Sequence, residues 1–369
     1  MKKVEKCDIV IIGGGATGTS IFRDAAMRGL KACLLEREEI SSGATSHSHQ
    51  NLLGGMRYVI KDPDVADECA RENEIISKIA PHIVSPVKNY FVGFRNEYTI
   101  SALDAAKYVG VRFKIINANV AFKEIPLLNP KIDIVVETED KNINATELCR
   151  LNCISAVKRN GTLLEYTVVK NIEKQSYNEY VVFTNHGRIT TRYVINAAGA
   201  WTNHIANKLE ITLPLLYSQG TIIVQKSLSP RGLQYFHEPG DGDAYIVHNG
   251  FAWLGTTSTT INSPEEAKPE PWAEHYLKDK FSIILPKVID QETIRAFVGV
   301  RPLLKTTNSL NGRKQSRNFQ IIEKPKGFFH IIGGKLTIAR LMAEKVADKI
   351  CEEMGINTKC TTAKLPLGD

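Results

Sequence analysis

Residues 7–36 carry the feature that most restricts what this chain can fold into. The apolar run Ile9–Ile12 predicts a short buried parallel strand. It leads directly into Gly13, Gly15 and Gly18 in G-x-G-x-x-G register. A helix-like segment, TSIFRDAAMRGL, follows and ends near Gly29, and KACLLE then predicts a second strand ending in Glu36. Each part has a mechanical purpose. Gly13 permits a tight turn, Gly15 lets the backbone approach a pyrophosphate, and Gly18 lets the helix pack on the strand. Ala16 and Thr17 lie at the helix amino terminus, whose partial positive charge faces phosphates. Glu36, about 20 residues beyond the glycines, is placed to accept hydrogen bonds from ribose hydroxyls. The glycines alone are a weak signal. Strand, glycines, helix, strand and acid in this order predict a dinucleotide site in an α/β fold.

The motif alone does not separate FAD from NAD, but the next segment favours FAD. EREEISSGATSHSHQ is small and polar where an NAD enzyme would soon begin its next crossover helix. Gly43, Ala44, Thr45 and Ser46 are expected to wrap a second phosphate region and run beside an isoalloxazine ring. Arg37 and Val169 join the candidate cofactor contacts. Two distant segments repeat the strand-to-helix plan. RYVINAAGAWTNHIA reaches Ala198, Gly199 and Trp201. FFHIIGGKLTIARL reaches Gly333 and Gly334, with Lys335, Leu336 and Thr337 at the start of a helix. A helix amino terminus there would stabilise negative charge on a reduced flavin.

Three such turns, far apart in sequence, imply one nucleotide-binding domain assembled from pieces, expected over 1–80, 145–212 and 298–369. Between them, 81–144 and 213–297 pattern differently. Strand-like TIIVQ and AYIVHNGFAWLGTTSTTI are broken by SLSPRG and HEPGDGD, which read as turns of an antiparallel sheet forming a discontinuous substrate domain. CTTAKLPLGD reads as a tail.

Composition narrows the function classes. No run of ~18 apolar residues predicts a membrane-spanning helix. The opening MKKVEKCDIVIIGGG leads into the glycine turn with no small-residue cleavage site, so it does not read as a signal peptide. Seven scattered cysteines without a C-x-x-C argue against a disulfide framework or a metal site, and fit a cytoplasmic protein. Cys149 and Cys153, one helical turn apart, are expected to pack. Lys and Arg outnumber Asp and Glu 47 to 40, a net charge of +7 that suits anionic small molecules. The basic residues are dispersed rather than blocked, which argues against nucleic acid.

With these residues read, the chain resembles the FAD-dependent glycerol-3-phosphate dehydrogenases, especially the large (A) subunit of the anaerobic enzymes. The matching stretches include DIVIIGGGATG, LLEREEISSGAT, GGMRY, DECARENEI, VINAAGAW, LGTTS, FVGVRPLL, IIGGKLTIARLMAE and CTTAKLPLG, spanning nearly the whole chain in the family's order. The resemblance implies a glutathione-reductase-like FAD domain (Rossmann-type) with an antiparallel substrate domain, as in D-amino acid and glycine oxidases. It implies oxidation of sn-glycerol 3-phosphate to dihydroxyacetone phosphate, with electrons passing through FAD toward quinone or an electron-transfer subunit. It is compatible with peripheral contact at the inner face of the cell membrane.

A small dianion must be held by its phosphate, and arginine's planar fork gives bidentate, charge-assisted hydrogen bonds. By resemblance, Arg57, Arg301, Arg317 and Lys335 stand near substrate, with Tyr58 adding a hydroxyl. Alcohol oxidation also needs a base. His49 is the leading histidine, Lys335 made less basic by neighbouring arginines is its competitor, and His237 and His248 read as structural or solvated. Two departures matter. Where relatives carry a histidine before the small pair of GG-x-R-Y, this chain has Leu53, so the flavin is expected to be non-covalent. The chain also stops where larger relatives continue, so electrons are expected to leave through separate subunits, direct membrane contact or another acceptor, including oxygen. Two other readings remain at this stage: an amine, amino acid or 2-hydroxy acid oxidase of the same fold, and a flavin-binding subunit without turnover.

Overall fold

The computed structural model describes residues 5–177, 179–237, 243–305, 309, 312–315 and 318–369. β1 (Lys6–Ile12), α1 (Ala16–Met27) and β2 (Ala32–Leu35) form the expected βαβ unit, with β1 and β2 parallel. On the other edge of β1 lies Gly187–Asn196, also parallel, and beyond it Phe328–Gly333. Thr162–Leu164 extends the sheet past β2. The three strand-to-helix turns read from sequence thus end side by side on one eight-stranded sheet.

β1 alternates between two cores. Ile9 and Ile11 pack with Phe22 of α1 and with Met342 and Val346 of helix Ala339–Met354. Val10 and Ile12 face the opposite side with Tyr180, Val182 and Phe328. Covering on both faces explains why β1 and β2 are continuous apolar runs rather than alternating ones.

The second sheet has ten strands. Leu215–Lys226 pairs antiparallel with Phe251–Gly255, Thr259–Ile261 and Arg295–Leu304. The sheet is antiparallel except at Leu233–Tyr235, which runs parallel to Val84–Gly93. It also takes in Asn51–Leu52 and Arg295–Leu304, parts of which lie in stretches that the sequence reading gave to the nucleotide-binding region.

The last ten residues are tied down. Arg23, buried in α1, donates to the carbonyls of Thr362, Leu365 and Pro366, and the Leu367 N–H donates to Ile79. Cys149 and Cys153 lie buried on helix Ala145–Val157, and all seven cysteines are free thiols.

Candidate active site

A cavity of about 600 Å³ runs from the β1–α1 turn to the second sheet. Its nucleotide end is made of backbone. Gly13 has φ +111°, and a Cβ there would meet Ala197 O at 2.5 Å. A Cβ on Gly18 would collide with the Gly13 carbonyl, so α1 packs this closely only with glycine there. The amino terminus of α1 carries no acid in its first turn, so its positive end suits an anion. Glu36 closes this end, with Oε2 accepting the Gly14 N–H at 2.6 Å and Oε1 the Glu38 N–H at 2.9 Å. The Thr45 hydroxyl accepts the Ala16 N–H at 3.0 Å, drawing the loop after β2 onto the helix terminus. The Arg37 guanidinium lies 3.9 Å from the Trp201 ring centre, and the Trp201 indole N–H donates to Glu265 at 2.7 Å.

Most of the nucleotide candidates line this cavity: Gly13, Gly15, Ala16, Thr17, Glu36, Arg37, Gly43, Ala44, Thr45, Val169, Ala198, Gly199, Trp201, Gly333, Gly334, Lys335 and Leu336. Three do not. Gly18 works by packing. Ser46 bonds locally to Gly43 O and His47 Nδ1. Thr337 is buried, its hydroxyl accepting the Leu53 N–H at 2.9 Å. The glycine turns, the positive end of α1 and the acid after β2 form a set of contacts suited to FAD.

The other end is lined by cations. Arg301 sits opposite Ser218 on the paired strands; Nη1 donates to Ser218 Oγ at 3.2 Å, and Nη2 to Thr256 Oγ1 at 2.9 Å and Thr257 O at 3.2 Å. Gly220 makes room for this, since a Cβ there would strike both Thr256 Oγ1 and the Arg301 guanidinium. Arg57 stands in the turn Met56–Tyr58 and donates Nε–H to Gln234 Oε1 at 2.9 Å. Lys335 Nζ lies 4.5 Å from the ring centre of the buried Tyr58. These four candidates come together; Arg317 lies outside the described residues.

Arg313 is a cation the sequence reading missed. It lines the same cavity and donates from Nη2 to Thr256 O at 2.8 Å and to Asp243 Oδ1 at 3.0 Å. Asp243 also faces His237 and Lys280, each at 3.0 Å. Burial works against the Asp243 carboxylate, but His237, Arg313 and Lys280 outweigh it and hold its pKa below the usual range. Thr256 and Thr257 lie in the matching stretch LGTTS, but the resemblance alone assigns them no role.

His49 lines the cavity, with its Nε2 enclosed beside Gly255 and, among the described residues, without a hydrogen-bond partner. Burial, then the charges of Arg57 and Arg301, push its pKa down to about 3, so the imidazole is neutral. His248 donates from Nε2 to the His49 carbonyl at 3.0 Å and stacks near Trp253, a structural placement. Leu53 is buried in the core. Among the described residues no cluster of His, Cys, Asp and Glu is arranged to hold a metal.

Comparison with known proteins agrees with this geometry. The chain is 30% identical to the A subunit of anaerobic glycerol-3-phosphate dehydrogenase from Escherichia coli (strain K12), over 98% of this chain and 70% of that one. It is also 30% identical to the A1 subunit of the enzyme of the same name from Haloferax volcanii, over 97% and 66%. The chain therefore spans about two thirds of the length of these relatives. The X-ray structure of glycerol-3-phosphate dehydrogenase from Bacillus halodurans complexed with FAD superposes with a TM-score of 0.76 at 22% identity, covering 98% of this chain and 68% of that one, and so shares the fold. The sequence profile described as "FAD dependent oxidoreductase" matches residues 8–349, which takes in all three glycine turns and the cation cluster. The chain belongs to that family.

Proposed function

We propose that this chain oxidises sn-glycerol 3-phosphate to dihydroxyacetone phosphate. One observation carries the reading: Arg57, Arg301, Arg313 and Lys335 line the same cavity as the three glycine turns. A carboxylate substrate is typically met by one bidentate arginine, whereas a phosphate dianion draws several donors. The glycine turns and Glu36 would hold FAD non-covalently, and it would supply the hydride acceptor.

The chain's own groups divide the remaining work. Arg301 is already oriented by Ser218, Thr256 and Thr257, so little rotamer freedom is lost when it meets an anion. Thr256 also receives Arg313 on its carbonyl, which sets two guanidiniums against one residue. Tyr58 beneath Lys335 gives that ammonium a fixed seat. The alcohol proton goes to a base as the carbinol hydrogen leaves. His49 is the leading acceptor: it is neutral, and a phosphate dianion bound at Arg57 and Arg301 would offset two of the charges that weaken it as a base; Lys335 competes only in its deprotonated form.

Electrons then pass to a quinone or a separate electron-transfer subunit. A cytoplasmic protein with peripheral contact at the membrane's inner face would suit that electron route; no helix among the described residues is long and apolar enough to cross a membrane. The same reading assigns 1–80, 145–212 and 298–369 to the cofactor and 81–144 and 213–297 to the substrate domain. The test is anaerobic mixing of the flavin-loaded protein with candidate substrates. Glycerol 3-phosphate should bleach the flavin, and glycine, sarcosine and 2-hydroxyglutarate should not. Bleaching by one of those three instead would overturn the assignment.

A further inference from the structure

Two arginines of the cavity are backed by buried carboxylates in different ways. Arg313 touches Asp243 directly. Arg57 reaches its carboxylate through an amide. Its Nε–H and Nη2–H both donate to Gln234 Oε1, Gln234 Nε2 donates to Asp140 Oδ2, and Asp140 Oδ1 accepts the Gly54 N–H. Gln234 is 1% exposed and Asp140 0%.

The arrangement has two physical consequences. Asp140 accepts on both oxygens, so the Gln234 amide has one favourable orientation, with its NH2 toward Asp140 and its carbonyl toward Arg57. The reverse would set NH2 against a guanidinium. Asp140 also fixes Gly54, at the entrance to the turn that carries Arg57, so one carboxylate secures both the backbone and the side chain of that arginine. The second consequence concerns charge. A carboxylate in contact with Arg57 would compete with an incoming anion, whereas one displaced by an amide's length attracts it less, because the interaction falls with distance.

We propose that Asp140 is a positioning residue for the substrate anion: through Gln234 it orients Arg57 while leaving the arginine's charge available to phosphate. The inference rests on the glycerol 3-phosphate reading above, which neither Asp140 nor Gln234 entered.

The test uses flavin-loaded wild type, Asp140→Asn, Gln234→Leu and Gln234→Glu. The readouts are KM and kcat for glycerol 3-phosphate, and the Kd for inorganic phosphate from perturbation of the flavin spectrum. Asp140→Asn and Gln234→Leu should raise KM and the phosphate Kd together, on the order of tenfold, with little change in kcat or flavin content. Gln234→Glu should raise the phosphate Kd at least as much, although a carboxylate there still grips the guanidinium. Unchanged phosphate Kd in both Gln234 variants would overturn the relay, and those variants decide the matter alone if Asp140→Asn does not fold. A wild-type protein that binds phosphate but is not reduced by glycerol 3-phosphate would instead overturn the assigned reaction, while the Kd series still judges the relay.

Discussion

The two ends of the cavity are built from different materials. At the nucleotide end the working parts are backbone: the amino terminus of α1, the turn at Gly13 and the small residues of two further strand ends. At the substrate end they are long side chains from five separated segments, each aimed by a neighbour: Arg57 by Gln234, Arg301 by Ser218 and Thr256, Arg313 by Asp243, Lys335 by Tyr58, and His49 packed against Gly255. Backbone sites fail by steric collision and therefore abruptly. Side-chain sites fail by lost orientation and therefore in degrees.

The largest effect should follow from Gly18→Val. Its Cβ collides with the Gly13 carbonyl, a backbone atom that cannot yield. The purified variant should lack flavin absorbance altogether. Next comes Arg301→Lys. Charge is kept but the fork is lost, and with it about two charge-assisted bonds, so kcat/KM for glycerol 3-phosphate should fall on the order of a hundredfold. Flavin content should not change, and steady-state kinetics on the loaded protein checks both.

His49 gives a prediction in pH. Its folded pKa, about 3, lies below the unfolded value near 6.5, so between these limits the unfolded chain binds more protons. The stability that a neutral His49 provides is complete above pH ~6.5 and is lost as pH falls through that window, to an extent reduced by the residue's partial exposure. His49→Asn should flatten the acid side of the urea-unfolding stability profile. In the wild type, kcat/KM should show no imidazole limb near 6.5, once the substrate phosphate's own ionisation near pH 6 is allowed for. The smallest effect belongs to Arg37→Ala. Losing one exposed stacking contact with Trp201, about 0.5–1 kcal/mol, should weaken flavin binding only a few-fold in a fluorescence titration.

The same contrast explains what was legible in the sequence. β1, α1, β2 and Glu36 are contiguous, and their geometry follows from local rules, so Gly13, Gly15 and Glu36 could be read directly. Their convergence with Gly199 and Gly334 follows from the parallel strands that precede them. The cation cluster has no such local grammar. Arg57 and Arg301 came from resemblance rather than spacing. Nothing in the local sequence NGRKQS sets Arg313 apart from an exposed basic residue; its place depends on Asp243, 70 residues earlier in the chain. Asp140 and Gln234 give no signal either, since one acid of an E-T-E-D run in a strand and a glutamine in another acquire meaning only when the second sheet sets them side by side.

The claim on which the account turns is that the clustered cations recognise a phosphate ester. Flavin-loaded protein should be mixed under nitrogen with glycerol 3-phosphate and, in parallel, with glycerol at the same concentrations, and the rate of flavin reduction followed. The account predicts fast, saturable reduction by the phosphate ester and negligible reduction by glycerol. Equal rates with the two alcohols would contradict it.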